Sequence, residues 1–227
     1  MTANLLMLVP TRQRPGNADA VVNSWQATSG GCSELCFVVD EDDPDLSEYR
    51  SRLADTPGVW VHPVGSRGMV AALNAAAVHY ASHYRFLGFM GDDHRPRSTG
   101  WDRRFCECLS TGVGVVYGND LLQGEAMPTA VALTSDIVRT LGYFAPPSMI
   151  HLCVDLCWKL WGEALGRITY LPDVVIEHMH PAARKAPMDA GYEKANSPDR
   201  MRDDAAAYYA YKDGQFHDDV AKLKALL

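Results

Sequence analysis

Strand-like and helical segments alternate through the first 95 residues, and the strands end in polar side chains. Residues 4–9 form an apolar run that stops at Pro10, Thr11, Arg12, Gln13, Arg14, Pro15 and Gly16, and residues 18–27 then read as a helix. A second strand, 34–39, ends in Asp40-Glu41-Asp42-Asp43. A short third strand covers 59–63, and an alanine-rich helix covers 69–84. The fourth strand, 85–90, runs directly into Gly91-Asp92-Asp93-His94. Alternation of this kind predicts an α/β fold with a doubly wound, mainly parallel sheet and helices on both faces. Parallel strands carry their carboxyl ends to one edge, where open α/β sheets bind ligands. Thr11, Arg12, Arg14, Asp40, Asp92 and Asp93 are therefore expected to converge.

The second half is less regular. Strands are expected at 113–117 and 129–133, a short helix at 135–141, a longer helix at 149–165, and short strands at 168–171 and 174–177. Beyond Pro181 the chain is polar, and residues 182–227 read as an arm with one or two helices. The main domain is then expected at 1–181, in two parts, 1–98 with the acidic strand ends and a smaller 99–181.

Composition excludes several classes. Of 227 residues, 47% are hydrophobic, enough for a substantial core and too many for disorder. The net charge of −7 gives no global attraction to nucleic acid or to anionic membranes. No apolar run approaches the ~20 residues of a membrane helix, and the amino terminus lacks a signal peptide, so a cytoplasmic protein is expected. Six cysteines without CxxC spacing suit a reduced compartment. The first loop has PTRQRPG in place of GxGxxG, and no Walker loop is present. A nucleotide is better held here by side chains and a metal than by a glycine cradle. Carboxylates at 92 and 93 suit Mg²⁺ or Mn²⁺, which can hold a diphosphate.

In order along the chain stand PTRQRP, VVDEDD, GSRGMVAALNAA and GFMGDDHRP followed by TGWD. Together they resemble the inverting, family-2-type glycosyltransferases of the GT-A fold, over roughly residues 4–180. Compact members without an anchor occur among viral proteins, for which the compartment would be host cytoplasm. The resemblance implies a catalytic domain over 1–181, with a nucleotide-sugar donor, commonly a uridine diphosphate sugar, and Mn²⁺ or Mg²⁺ held by 1–98 and the acceptor side formed by 99–181. Pro10, Thr11, Arg12 and Arg14 match the loop around nucleobase and ribose. Asp40 matches the aspartate that bonds the base, and Arg67 and Asn74 match positions near ribose or diphosphate. Asp92, Asp93 and His94 stand where the family has its acidic motif. Either Asp93 binds the metal with Asp92 on the ribose, or His94 replaces the last carboxylate.

An inverting transferase needs a carboxylate to take the acceptor proton, and Asp155 matches the family's base. On a helix it would share a face with His151 and pair with Lys159 if exposed. His178 and His180 are two apart, so an extended chain points both the same way. The resemblance implies that one of them completes the metal site. Because retaining GT-A enzymes also use a late histidine on the metal, the stereochemical outcome stays open.

The acceptor is not fixed by these residues. A hydroxymethylated base in DNA, a soluble glycan and a small molecule all fit. Arg95, Arg97, Arg103 and Arg104, with basic residues at 184, 185, 194, 200 and 202, leave room for a small DNA contact. Two other readings remain: a nucleotidyltransferase, and a non-catalytic nucleotide-sugar-binding protein with a degenerate GT-A fold.

Overall fold

In the computed structural model, which describes residues 3–65 and 68–227, one eight-stranded sheet carries helices on both faces. The expected Arg67 contact lies outside the described residues. The elements are β1 (Leu5–Thr11), α1 (Pro15–Thr28), β2 (Ser33–Asp40), α2 (Leu46–Leu53), β3 (Val59–Val64), α3 (Met69–Tyr80), β4 (Phe86–Phe89) and β5 (His94–Pro96). There follow α4 (Trp101–Leu109), β6 (Val115–Asn119), β7 (Val131–Thr134), α5 (Ser135–Leu141), α6 (Val154–Leu165), β8 (Ile168–His178), α7 (Ala190–Ala195), α8 (Pro198–Asp213) and α9 (Gln215–Lys224).

The sheet order is β3-β2-β1-β4-β7-β6-β8-β5. Strands β1 to β4 are parallel. β7 runs against both β4 and β6, so β6 and its parallel neighbour β8 point the same way as β4. The carboxyl ends of β1, β2, β4, β6 and β8 therefore share one edge.

Strand periodicity divides the core between the two faces. Leu6 and Leu8 with Cys36 and Val38 pack toward α3, α5, α6 and the carboxyl-terminal helices. Leu5, Met7 and Val9 with Leu35, Phe37 and Val39 pack toward α1, α2 and α4. A strand buried on both faces needs a continuous apolar run, which is why 5–9 and 35–39 lack polar residues.

Five elements depart from expectation. α2 was not expected, because its stripe is only Leu46, Tyr49 and Leu53 in a polar segment; Tyr49 and Leu53 are buried. α4 is likewise not expected, although Trp101, Phe105 and Leu109 are spaced as a helix stripe and are buried. β8 is one strand of 11 residues, not two. Its register with β6 slips between Gly118 and Asn119, and the irregularity takes up Pro172, Asp173 and Val174. β5 is too short to register as a strand without its partner β8. α6 begins at Val154 rather than 149. The Asp204 carboxylate accepts the backbone N–H groups of Ile150, His151 and Leu152, and Cys153 turns at φ +67°, so the preceding segment cannot be helical.

Residues 182–227 do more than trail as an arm. Tyr211 and Leu223 are buried in the same core as α3, α5 and α6. Asp219, fully buried, accepts the hydroxyls of Tyr143 and Tyr211. Trp101 is fully buried, as a core residue. Asp102 beside it accepts Ser29 Oγ, Ser33 Oγ and the N–H groups of Gly30, Cys32 and Ser33, tying the α1–β2 loop to α4.

Candidate active site

The shared strand edge opens into a cavity of about 420 Å³. Pro10, Thr11, Arg12, Arg14, Asp40, Asp92, Asp93, His94, Asp155, His178 and His180 all line it. Asn74 does not. Its Oδ1 accepts the N–H groups of Phe144 and Ala145, and its Nδ2 donates to Ala145 O at 2.8 Å. With each amide group engaged, Asn74 anchors the 144–145 loop to α3; its expected donor contact is corrected accordingly.

Adjacent carboxylates 92 and 93 have separate environments. Asp92 Oδ2 accepts Thr11 Oγ1 at 2.6 Å, and its Oδ1 faces Arg14 Nη1 at 3.2 Å and Asn17 Nδ2 at 3.4 Å. Burial raises the Asp92 carboxyl above its ordinary value despite Arg14 and Thr11. Asp93 instead faces two imidazoles, with His94 Nδ1 and His178 Nε2 each 3.2 Å from its oxygens. Burial works to raise Asp93 too, but the bonds from His178 and His94 hold it well below the usual carboxylate range. Gly91 permits this packing: a Cβ there would lie 2.6 Å from Asp93 Oδ1.

His94 and His178 are cross-strand partners of β5 and β8, with rings stacked at 4.1 Å. Asp93, His94 and His178 each offer a ligand atom, all within 4.8 Å of one another. A carboxylate oxygen and two imidazole nitrogens suit a divalent first-row ion. His178 Nδ1 is buried without a hydrogen-bond partner. Burial works to lower His178, but Asp120 and Asp93 push it up to about 9. His180 stays beside this cluster: its Nδ1 accepts Ala182 N–H, and its ring lies 5.0 Å from that of His178.

At the β2 end of the cavity, Asp40 closes the strand and pairs with Arg12 at 3.0 Å. Burial raises its carboxyl. Across the cavity, Asp155 occupies the first turn of α6. Protein surrounds its carboxyl on most sides while leaving it at the cavity wall, and this desolvation pushes it up to about 6. Lys159 is not its partner, because its Nζ donates to the carbonyls of Glu125 and Ala126. His151 lies before the helix, so the expected shared face is not formed.

Several site residues escaped the sequence reading. Tyr192, from α7, donates its hydroxyl to Asp93 Oδ2 at 2.7 Å, while Arg14 stacks on its ring at 4.3 Å and pairs with Asp189 at 2.5 Å. Nothing local in the sequence announces such a tertiary closure. Lys194, Asn196 and Arg200 follow it into the cavity wall. Asp120 was legible in principle: it follows β6 just as Asp40 closes β2.

The basic residues expected near DNA are mostly spent internally. Arg95 donates to the carbonyls of Asp92 and His94, and Arg103 to that of Gly30. Arg97 and Lys185 pair with Glu177, Arg104 with Asp173, and Arg202 with Asp199 and Asp203. Among the described residues, no helix is long and apolar enough to cross a membrane.

No family model and no curated protein matches the sequence. Solved structures do match the fold. A mannosyltransferase from Pyrobaculum calidifontis, in complex with GDP-Man and Mn²⁺, superposes with a TM-score of 0.63 at 16% identity, covering 100% of this chain and 81% of the other. Glucosyl-3-phosphoglycerate synthase from Mycobacterium tuberculosis, with Mn²⁺, UDP and glucosyl-3-phosphoglycerate, gives 0.62 at 12% identity, covering 91% and 80%. S. aureus TarS with UDP gives 0.60 at 13% identity over 76% of this chain, which spans 59% of the TarS chain.

Proposed function

From a GT-A glycosyltransferase fold as premise, we propose that this protein transfers a sugar from a nucleotide diphosphate sugar, UDP-linked, to an acceptor hydroxyl with inversion. The observation that carries this reading is one cavity holding both Asp155 and the Asp93–His94–His178 cluster. The structural neighbours named above supply the precedent for nucleotide-sugar and Mn²⁺.

Asp93, His94 and His178 would hold the ion, and two nitrogen donors favour Mn²⁺ over Mg²⁺. When bound, the ion supplies positive charge to the departing diphosphate. Asp92 keeps a structural and ribose-side role, since it joins Thr11 to Arg14 and Asn17 and thereby fixes the first loop. Asp40, with Arg12, supplies an acceptor for a base N–H. Asp155 takes the acceptor proton. Its position in the first turn of α6 tolerates the anion, while desolvation keeps it basic enough to remove a hydroxyl proton in the transition state. Lys194 and Arg200 line the same cavity and offer cationic groups to the donor phosphates.

The acceptor is a small molecule or a soluble glycan. The internal pairing of Arg97, Arg104 and Arg202 leaves little cationic surface for a DNA backbone. Thermal shift with UDP-, GDP- and ADP-sugars, with and without Mn²⁺, tests the donor. A Mn²⁺-dependent rise with a UDP-sugar is expected; no rise with any donor would overturn the transferase reading.

A further inference from the structure

Behind the two imidazoles sits a carboxylate that the reaction itself does not use. Asp120 is 2% exposed, at the end of β6. Its Oδ1 accepts the N–H groups of Leu122, Gln123 and Gly124, at 2.9, 2.7 and 2.9 Å. Its Oδ2 accepts Thr129 Oγ1 at 2.8 Å and lies 3.7 Å from His178 Nδ1. The Asp120 carbonyl also accepts the backbone N–H of His178 at 2.9 Å. With three N–H groups and one hydroxyl donating to it, the Asp120 carboxylate is an acceptor only.

Hydrogen-bond direction then propagates outward. The Thr129 hydroxyl must donate to the carboxylate, which leaves its lone pairs for His94 Nε2 at 3.4 Å. His94 Nδ1 accepts the Gly91 N–H at 3.1 Å, so the His94 proton belongs on Nε2. The one Nδ1 lone pair then lies on the Asp93 side, 3.2 Å from Asp93 Oδ1, where an ion would have to take it from the Gly91 N–H. At His178 the buried Nδ1 has no other acceptor near it, and a proton there points at Asp120. Nε2 of His178 is then the nitrogen that faces Asp93.

We propose that Asp120 is a positioning residue that sets the tautomers of both imidazoles, His178 directly and His94 through Thr129, so that each turns a lone pair toward the ion held by Asp93. The proposal rests on the metal-site reading above. Carboxylates behind ligating histidines fix tautomer and ring orientation, and their loss weakens metal affinity by about 10- to 100-fold. Asp120→Asn keeps an oxygen for the backbone N–H groups but places an NH₂ where Oδ2 faced His178. That NH₂ donates to Nδ1 and drives the ring proton to Nε2, the nitrogen the ion needs.

The test is a Mn²⁺ titration of the full chain without nucleotide, with free Mn²⁺ read by electron paramagnetic resonance. Wild type, Asp93→Ala, His178→Ala, Asp120→Asn and the His178→Ala/Asp120→Asn double variant are compared, with folding checked by circular dichroism. Asp120→Asn should weaken Mn²⁺ by about 10- to 100-fold and have no further effect once His178 is alanine. Thr129→Val, which cuts the His94 branch and removes one of the four donors to Asp120, should weaken it severalfold. Additive losses in the double variant would mean that Asp120 does not act through His178, and would overturn the proposal. So would an Asp120→Asn affinity within twofold of wild type while Asp93→Ala binds poorly. Wild-type affinity in Asp93→Ala would instead refute the metal site itself, and this proposal with it.

Discussion

Asp155→Asn should make the protein more stable and nearly inactive, with a stability gain that depends on pH. In the folded chain the Asp155 carboxyl titrates at about 6, because burial disfavours its anion. An unfolded aspartate titrates near ~3.9. The folded pKa is raised, so the native state prefers the protonated form. Its contribution is fully favourable below the unfolded pKa and is lost as pH rises through the folded one. The difference of roughly two pH units corresponds to about 3 kcal/mol at 1.36 kcal/mol each, less whatever the cavity-facing part of the side chain recovers from solvent. About half of this cost is present at pH 5 and nearly all by pH 7. Asparagine has nearly the same shape and never ionises. In a domain of this size each kcal/mol moves Tm by about 2–4 °C. The variant should therefore melt about 4–10 °C above wild type at pH 8, and the gap should close by half or more at pH 5. The assay is differential scanning calorimetry on metal- and nucleotide-free protein across pH 5 to 8. A gap that is negative, or the same at both ends, would refute the claim that desolvation of the anion dominates at this position.

The same carboxyl sets the activity profile. kcat/KM should rise with pH through about 6 in wild type, and Asp155→Asn should lower kcat by about 10²–10⁴-fold with donor affinity unchanged. Asp93→Ala should abolish the Mn²⁺-dependent part of the thermal shift with UDP-sugar, read at saturating Mn²⁺. Asn74→Ala should lower stability by about 1–3 kcal/mol in urea melts, because it strands the N–H groups of Phe144 and Ala145. Unlike a donor ligand, it should leave the Kd for UDP within about twofold of wild type. Asp102→Ala should cost about 3 kcal/mol or more, since five donors from the α1–β2 loop lose their acceptor. Retained stability in that variant would show that the loop is held by packing instead.

What the sequence reveals here follows the range of the forces involved. Strands β1, β2 and β4 are buried on both faces, so their apolar runs are unbroken and easy to see. Parallel pairing then turns strand ends into a common edge, which is why Thr11, Asp40, Asp92 and Asp93 were expected together. Helices α2 and α4 bury only one thin stripe each, and in polar segments that stripe is weak evidence without its partner surface. Asn74 shows the opposite failure. A polar residue at a suggestive spacing was taken toward the ligand, while the fold spends it on a loop 70 residues away. Tyr192 and Asp204 reach their partners across long stretches of chain, and no local pattern encodes such contacts.

The acidic pair illustrates how tertiary context assigns roles that spacing leaves open. Asp92 and Asp93 are chemically identical neighbours, yet one is bound by a hydroxyl, a guanidinium and an amide, the other by two imidazoles and a phenol. Arg14 cannot surrender Asp92 cheaply, because the same guanidinium pairs with Asp189 and stacks on Tyr192. A cation drawn to this corner therefore competes with a phenol and protons at Asp93, and with a fixed, buried ion pair at Asp92. The first exchange is the easier one: the His178 Nε2 proton can leave for water, whereas an arginine proton cannot. That asymmetry favours Asp93 as the ligand. It also predicts that Tyr192→Phe, which removes one competing donor and keeps the ring under Arg14, tightens Mn²⁺ binding in the same resonance titration. Weaker binding in that variant would instead make the Tyr192 hydroxyl a contributor to the ion site.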